Sequence, residues 1–235
     1  MAPLTLSSYQ ADPSVILPQV LNVAPKGTKV TVLNLGTLEA DMGWMVRGAN
    51  GSTKSNPNGP AKNDRRELAC YALLIDHPTE GLLLWETGCG RGFANTWGPV
   101  ADIFAPCRSE EKYELDTAIK AAGYNIKDVK KVLMGHLHLD HAGGLGYFKG
   151  TNTEIWTHKL ELESAFYSCA TKADAAVYMP HYLDLSLNWK TFDERTTDFA
   201  PGLTLHHLPG HTAGLCGLQV NLQDSGTYFF LSDHA

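Results

Sequence analysis

No run of apolar residues in this chain approaches the roughly 20 that a membrane-spanning helix needs, so no membrane partner is expected. Met1 to Pro18 has neither a charged start nor a continuous apolar centre, so no secretory signal is expected there either. No run of Lys or Arg stands out, and Lys130-Lys131 reads as the solvated end of a strand. With a formal net charge of −6, a nucleic-acid partner is not expected. The five cysteines, Cys70, Cys89, Cys107, Cys169 and Cys216, lack paired spacing. That pattern excludes a disulfide framework and reads as reduced thiols in a cytoplasmic protein. Cys89 reads as a packing residue. There is no G-x-S-x-G elbow to supply a serine nucleophile, no internal repeat and no low-complexity segment.

What is present is enough for one domain with a sizeable core: 235 residues, 43% of them hydrophobic. Residues 1–28 are Pro-rich and weakly patterned and read as an N-terminal arm, with the domain over 29–235. Val30 to Leu35 is a β-branched apolar run, hence a strand. Gly48 to Asp64 has the composition of a long loop. Leu68 to Ile75 and Leu82 to Trp85, separated by the turn signal around His77 and Pro78, form a hairpin. Glu110 to Ala122 has helical spacing and stops at Gly123, and His158 to Ala170 reads as a second helix. Strands are expected at Val129 to Met134, Glu154 to Thr157, Leu203 to Leu208, Leu215 to Val220 and Tyr228 to Leu231. Two groups of strands with helices between and after them suit a β-sandwich covered on both faces.

The most informative stretch is M-G-H-L-H-L-D-H-A-G-G, which places His136, His138, Asp140 and His141 within six residues directly after an apolar strand. Imidazole and carboxylate are ligands for zinc and similar divalent ions. One loop offers more of them than one tetrahedral ion takes from it, which suggests two adjacent ions. His136 and His138, at i and i+2, point the same way if the chain is still extended there. Asp140 and His141 follow the turn and can face a second ion. Ala142-Gly143-Gly144 permits tight turning into a helix.

H-L-H-L-D-H-A-G-G resembles the H-x-H-x-D-H signature of the metallo-β-lactamase-fold hydrolases. L-P-G-H-T-A-G, ending at Gly214, resembles the family segment that supplies a third histidine, here His211. F-F-L-S-D, ending at Asp233, resembles the strand whose aspartate bridges two metals. L-L-L-W-E-T-G resembles the family's D-T-G strand, with Glu86 where aspartate is usual. Glu86 reads equally as a partner for a ligand histidine or as a rim carboxylate. The resemblance implies an α+β fold, a four-layer αββα sandwich. Family members continue beyond the bridging aspartate to a further histidine ligand, so the expectation is that the C-terminal part of the domain is missing from this chain.

The resemblance also implies the chemistry. His136, His138 and His211 would hold one ion, Asp140 and His141 the other, and Asp233 would bridge, with Asp140 and Asp233 also counted as catalytic. The ions would most simply be zinc, with manganese, iron or cobalt as alternatives. Two such ions lower the pKa of a shared water toward about 7 and polarise the carbonyl under attack. The order of segments is most similar to the quorum-quenching N-acyl homoserine lactonase branch, which implies opening of a small cyclic ester or cyclic amide. A glyoxalase-II-like thioesterase and a non-catalytic metal-binding module remain open, and a homodimer is compatible with the sequence. Trp44 and Met45, in a loop after the first strand, are candidate pocket residues. So are Tyr167 and Trp189, which bound an aromatic lid with Phe166, Tyr178 and Tyr182. His77 reads as a surface residue, and His158 and His181 flank the lid.

Overall fold

The computed structural model describes residues 22–45, 54, 65–174 and 176–234. The expected loop at Gly48 to Asp64 lies almost entirely outside these, as do residues 1–21 of the expected arm. Two sheets face each other. The larger contains β1 (Lys29–Asp41), β2 (Arg65–His77), β3 (Gly81–Trp85), β4 (Ala105–Arg108), β5 (Val129–Leu133), β6 (Glu154–His158) and β7 (Asn188–Phe192), in the order β4-β1-β2-β3-β5-β6-β7. Pairing is antiparallel from β4 to β3 and parallel from β3 to β7. The smaller sheet is antiparallel and contains β8 (Thr196–Ala200), β9 (Leu203–His207), β10 (Cys216–Leu222) and β11 (Gly226–Phe230).

The two-residue period of the strands sorts their side chains into layers. On β2 and β3, Leu73, Ile75, Leu83 and Trp85 point between the sheets, where they meet Leu203, Leu205, Leu218 and Val220. Their neighbours Ala72, Leu74, Leu82 and Leu84 face the other way, onto the helices. There α2 (Phe93–Thr96) contributes Phe93, α3 (Val100–Ile103) Val100, α4 (Leu115–Ala121) Leu115 and Ile119, and α6 (Lys159–Thr171) Ala165. The fold is the α+β sandwich expected. Burial on both faces explains why β3 reads as an unbroken apolar run from Leu82 to Trp85.

The described part of the arm, residues 22–28, is irregular and is held to the smaller sheet: the Ala24 amide bonds the Asn221 carbonyl, and Asn22 reaches the Ala200 and Leu203 carbonyls. Three expectations need correction. The helix expected at Glu110 to Ala122 is split into a 3-10 turn at Glu111–Tyr113 and the shorter α4, because Glu114 is extended. β4, β7 and β8, all at sheet edges, were not expected. His77 is buried, at 1% exposure, against the Pro201 carbonyl rather than at the surface.

The candidate metal centre

β3, β5 and β11 all end at the same rim of the sandwich, and the candidate ligands follow their last residues. β5 runs out at Leu133, and its continuation carries His136 and His138. His138 is still extended (φ −66°, ψ 162°) and caps the single turn α5 (Leu139–Ala142), which carries Asp140 and His141. The loop between β9 and β10 brings His211, and the residues after β11 bring Asp233. The six candidates thus converge from three segments. The imidazole rings of His136 and His138 lie 4.6 Å apart and those of His138 and His211 4.7 Å apart. His141 Nε2 lies 3.2 Å from one Asp233 oxygen and 3.7 Å from Asp140, while the other Asp233 oxygen is 3.6 Å from His211. Asp233 therefore stands between the three-histidine group and the Asp140–His141 group.

The backbone is strained at this rim. Glu86 and Ser232 have φ of 61° and 53°, a region that side chains other than glycine enter at a cost of order 1 kcal/mol. These conformations aim the Glu86 carboxylate inward and turn the chain ahead of Asp233. Glu86 is buried, which excludes the rim reading. Its Oε1 accepts from the Gly135 amide (3.1 Å) and the Ser232 hydroxyl (2.9 Å), and lies 3.5 Å from His141 Nδ1. The glycines serve close approach more than turning. A Cβ on Gly135 would strike Glu86 and Ser232, and one on Gly143, whose φ is not positive, would strike the Cys89 carbonyl.

The donors match a divalent cation. His136 is fully buried, and its Nε2 has no hydrogen-bond partner. Native proteins rarely leave a buried nitrogen unpaired, and a lone pair aimed at an ion site is one of the few situations that explains it. Burial and the neighbouring imidazoles hold His136 well below the ordinary histidine range, and burial with His211 lowers His138 to about 3. Both rings are thus neutral and ready to donate. Burial alone would lower His141 too, but Asp140, Glu86 and Asp233 raise it well above its usual value. Burial would raise Asp233, yet His141 and His211 bring it down to about 2.

A cavity of about 600 Å³ opens onto this cluster. Trp44 and Met45, on the short helix α1 (Met42–Met45), form part of its wall. Leu68, Cys70, Tyr71, Phe104 and Val177 also line it and were not expected. The signal for Tyr71 was available: it shares the two-residue period of Leu73 and Ile75 and lies two residues beyond Leu73, which pairs with the last residue of β3. Tyr167 lines a neighbouring open depression beside His138 and His211. Trp189 does not line either space. It lies on β7, half-buried against the core, with its indole N–H on the Asp184 carbonyl. The expected lid is largely core: Tyr178 is buried, and Tyr182 is buried between the Trp97 indole N–H and the Cys89 carbonyl. His158 caps α6 through the Leu160 amide and stacks on His207, away from the cavity, and His181 is exposed.

Residues 65–229 match the sequence model of the metallo-beta-lactamase superfamily. The chain is 29% identical over 218 residues to the N-acyl homoserine lactonase AiiB of Agrobacterium fabrum, covering 88% of this chain and 77% of that one. It is 31% identical over 179 residues to an N-acyl homoserine lactonase of Bacillus thuringiensis, covering 74% of this chain and 66% of the relative. Among solved structures, it resembles an N-acyl homoserine lactone hydrolase with the product N-hexanoyl-L-homoserine bound at its catalytic metal centre. That likeness has a TM-score of 0.66 and 25% identity, over 86% of this chain and 73% of the other.

Proposed function

The chain belongs to the metallo-beta-lactamase superfamily and is a metal-dependent hydrolase; on that premise we propose that it opens a small lactone using two divalent ions, zinc in the first instance. The observation that carries this reading is the buried, unpaired Nε2 of His136 beside the neutral imidazole of His138, with His211, His141 and Asp233 converging on the same point. His136, His138 and His211 would hold one ion and Asp140 and His141 the other, with Asp233 shared. Bound ions would supply hydroxide near neutral pH and polarise the carbonyl under attack. The chain's own residues do the rest. Glu86 faces His141 Nδ1 and so turns Nε2 toward Asp140 and Asp233, the usual way a carboxylate fixes a ligand imidazole. Tyr71 on the cavity wall is held protonated by burial and by Glu86, and keeps a hydroxyl to donate.

The lactone assignment draws on the names of the relatives and on the cavity. Trp44, Met45, Leu68 and Phe104 give an apolar wall suited to an acyl substituent. No Lys or Arg is among the described residues that line it, which disfavours a glutathione thioester with its carboxylates. The free cysteines support a cytoplasmic location. The test is a screen of purified protein, with and without zinc, against an N-acyl homoserine lactone, a plain lactone, a lactam, a thioester and a phosphodiester. Zinc-dependent turnover of the acylated lactone is expected. Turnover of the phosphodiester alone would refute the hydrolase class proposed, and turnover of the thioester alone would move the chain to another branch.

A further inference from the structure

Glu161 lies in the first turn of α6, is 0% exposed, and has no Lys or Arg partner among the described residues. A carboxylate so buried is tolerated only when its lone pairs are filled. Here they are filled by four donors from three separate segments. Oε1 accepts from the Leu137 amide at 2.9 Å and the Tyr178 hydroxyl at 3.1 Å. Oε2 accepts from the Thr212 hydroxyl at 2.5 Å and the Gly214 amide at 3.2 Å. Leu137 lies between His136 and His138, and Thr212 directly follows His211. The Tyr178 ring packs edge-on against His138 at 4.8 Å. The backbone supports the same joint, since a Cβ on Gly214 would strike the Glu161 main chain.

We propose that Glu161 is the positioning residue that assembles the three-histidine site, by tying the loop of His136 and His138 to the loop of His211 and both to Tyr178. None of the three histidines bonds Glu161 itself, so it acts through their chain neighbours. The two loops are 73 residues apart between His138 and His211, and their rings nonetheless meet with His211 Nε2 3.0 Å from His138 Nδ1. The Asp140, His141 and Asp233 group has no bond to Glu161. Glu86 stands behind His141 and also takes the Gly135 amide beside His136, so it serves the boundary between the two groups, whereas the bonds of Glu161 reach only the neighbours of the three histidines. This inference rests on the reading that the three histidines hold an ion, and not on the identity of the substrate.

Glu161→Gln keeps the shape but presents an N–H₂ where Thr212 and Gly214 need an acceptor. Zinc titration of the chelator-stripped full chain against a competing indicator, repeated with cobalt(II) absorption, reads the two ions separately. The expected result is an affinity about 10- to 100-fold weaker for the three-histidine ion, the range typical of lost support behind a ligand, with the other ion little changed. Thr212→Val and Tyr178→Phe each remove one donor, and should weaken the same ion several-fold while leaving the metal-free thermal midpoint near that of the parent. These two decide the matter if Glu161→Gln does not fold. Parent affinity for both ions in the folded variants, or an equal loss at both, would overturn the proposal. A parent chain that binds no zinc would overturn this and the metal-centre reading together. Failure to hydrolyse any lactone would leave the present inference standing, since no turnover enters the measurement.

Discussion

His77 and His136 stand at opposite ends of the ribbon formed by β2, β3 and β5, with exposures of 1% and 0%. At the hairpin end, His77 is satisfied on both nitrogens. Its Nε2 donates to the Pro201 carbonyl at 2.9 Å, and its Nδ1 accepts from the Thr79 and Glu80 amides at 3.3 and 3.2 Å. At the rim, the His136 ring has one hydrogen bond, Nδ1 to the Ser232 hydroxyl at 3.1 Å, and its Nε2 faces the other candidate ligands without one. The same contrast holds for carboxylates. Glu161 has both oxygens filled, whereas Glu86 Oε2 has no partner. Burial therefore does not mark the functional end of the molecule. An unpaired buried atom is a sharper signal, since folding alone selects against it. Trp85 Nε1, Thr157 Oγ1 and His158 Nε2 share that property outside the cluster, but at the rim it coincides with a convergence of imidazoles and carboxylates.

Metal removal should expose this difference most strongly. Chelation should abolish hydrolysis, and zinc or manganese should restore it. An ion present at about 1,000 times its dissociation constant stabilises by about 4 kcal/mol, on the order of 10 °C in thermal midpoint for a domain of this size. Unchanged turnover in excess chelator would refute the assignment of function to the rim.

Substitution should come next. His136→Leu should lower lactone turnover on the order of 10³-fold or more, the loss of several kcal/mol of transition-state stabilisation. Elemental analysis should show the three-histidine ion lost first, and Asp140→Ala should empty the other site first. In the chelated protein, His136→Leu should leave stability unchanged or raised, because it removes an unpaired buried nitrogen. His77→Leu should do the reverse. It strands the Pro201 carbonyl and two amides, so unfolding in urea should show a loss of about 1–3 kcal/mol with zinc affinity intact. Equal effects of the two changes would dissolve the contrast.

These two histidines also show what could be read in the sequence. The rim is written locally: H-L-H-L-D-H-A-G-G follows an apolar strand, and the other candidate ligands lie in recognisable segments, so proposing His136 needed no tertiary information. His77 looked like a surface residue because its neighbours spell a turn. What buries it is Pro201, 124 residues away. Glu161 gave no signal either, since a glutamate in a helix with mixed spacing is ordinarily solvated and its four donors arrive from other segments. Trp189 misled for the opposite reason: an aromatic near a helix suggested a lid, but β7 docks it onto the core. β7 and β8 escaped notice because edge strands pair on one side and need no continuous apolar run.

The smallest expected effect lies at the hairpin end, beside His77. Lys131 Nζ bonds Glu80 at 2.6 Å, and this bond holds the Glu80 carboxyl below its usual value despite some burial. A carboxylate whose pKa is lower folded than unfolded adds stability above the unfolded value, and that stability is lost as pH falls through the folded value. Glu80→Gln should therefore destabilise by about 1 kcal/mol or less at pH 7, as expected for a pair at the surface. The gap to the parent should close as the pH is lowered below the ordinary glutamate range, and about 1 M salt should narrow it at neutral pH. The main-chain bonds to His77 do not involve this charge, so the histidine plug should survive the change. Zinc affinity, set at the far end of the same strands, should not move. A drop in zinc affinity on Glu80→Gln would mean that the two ends are coupled through β3 and β5, and that the rim is less autonomous than its local motif implies.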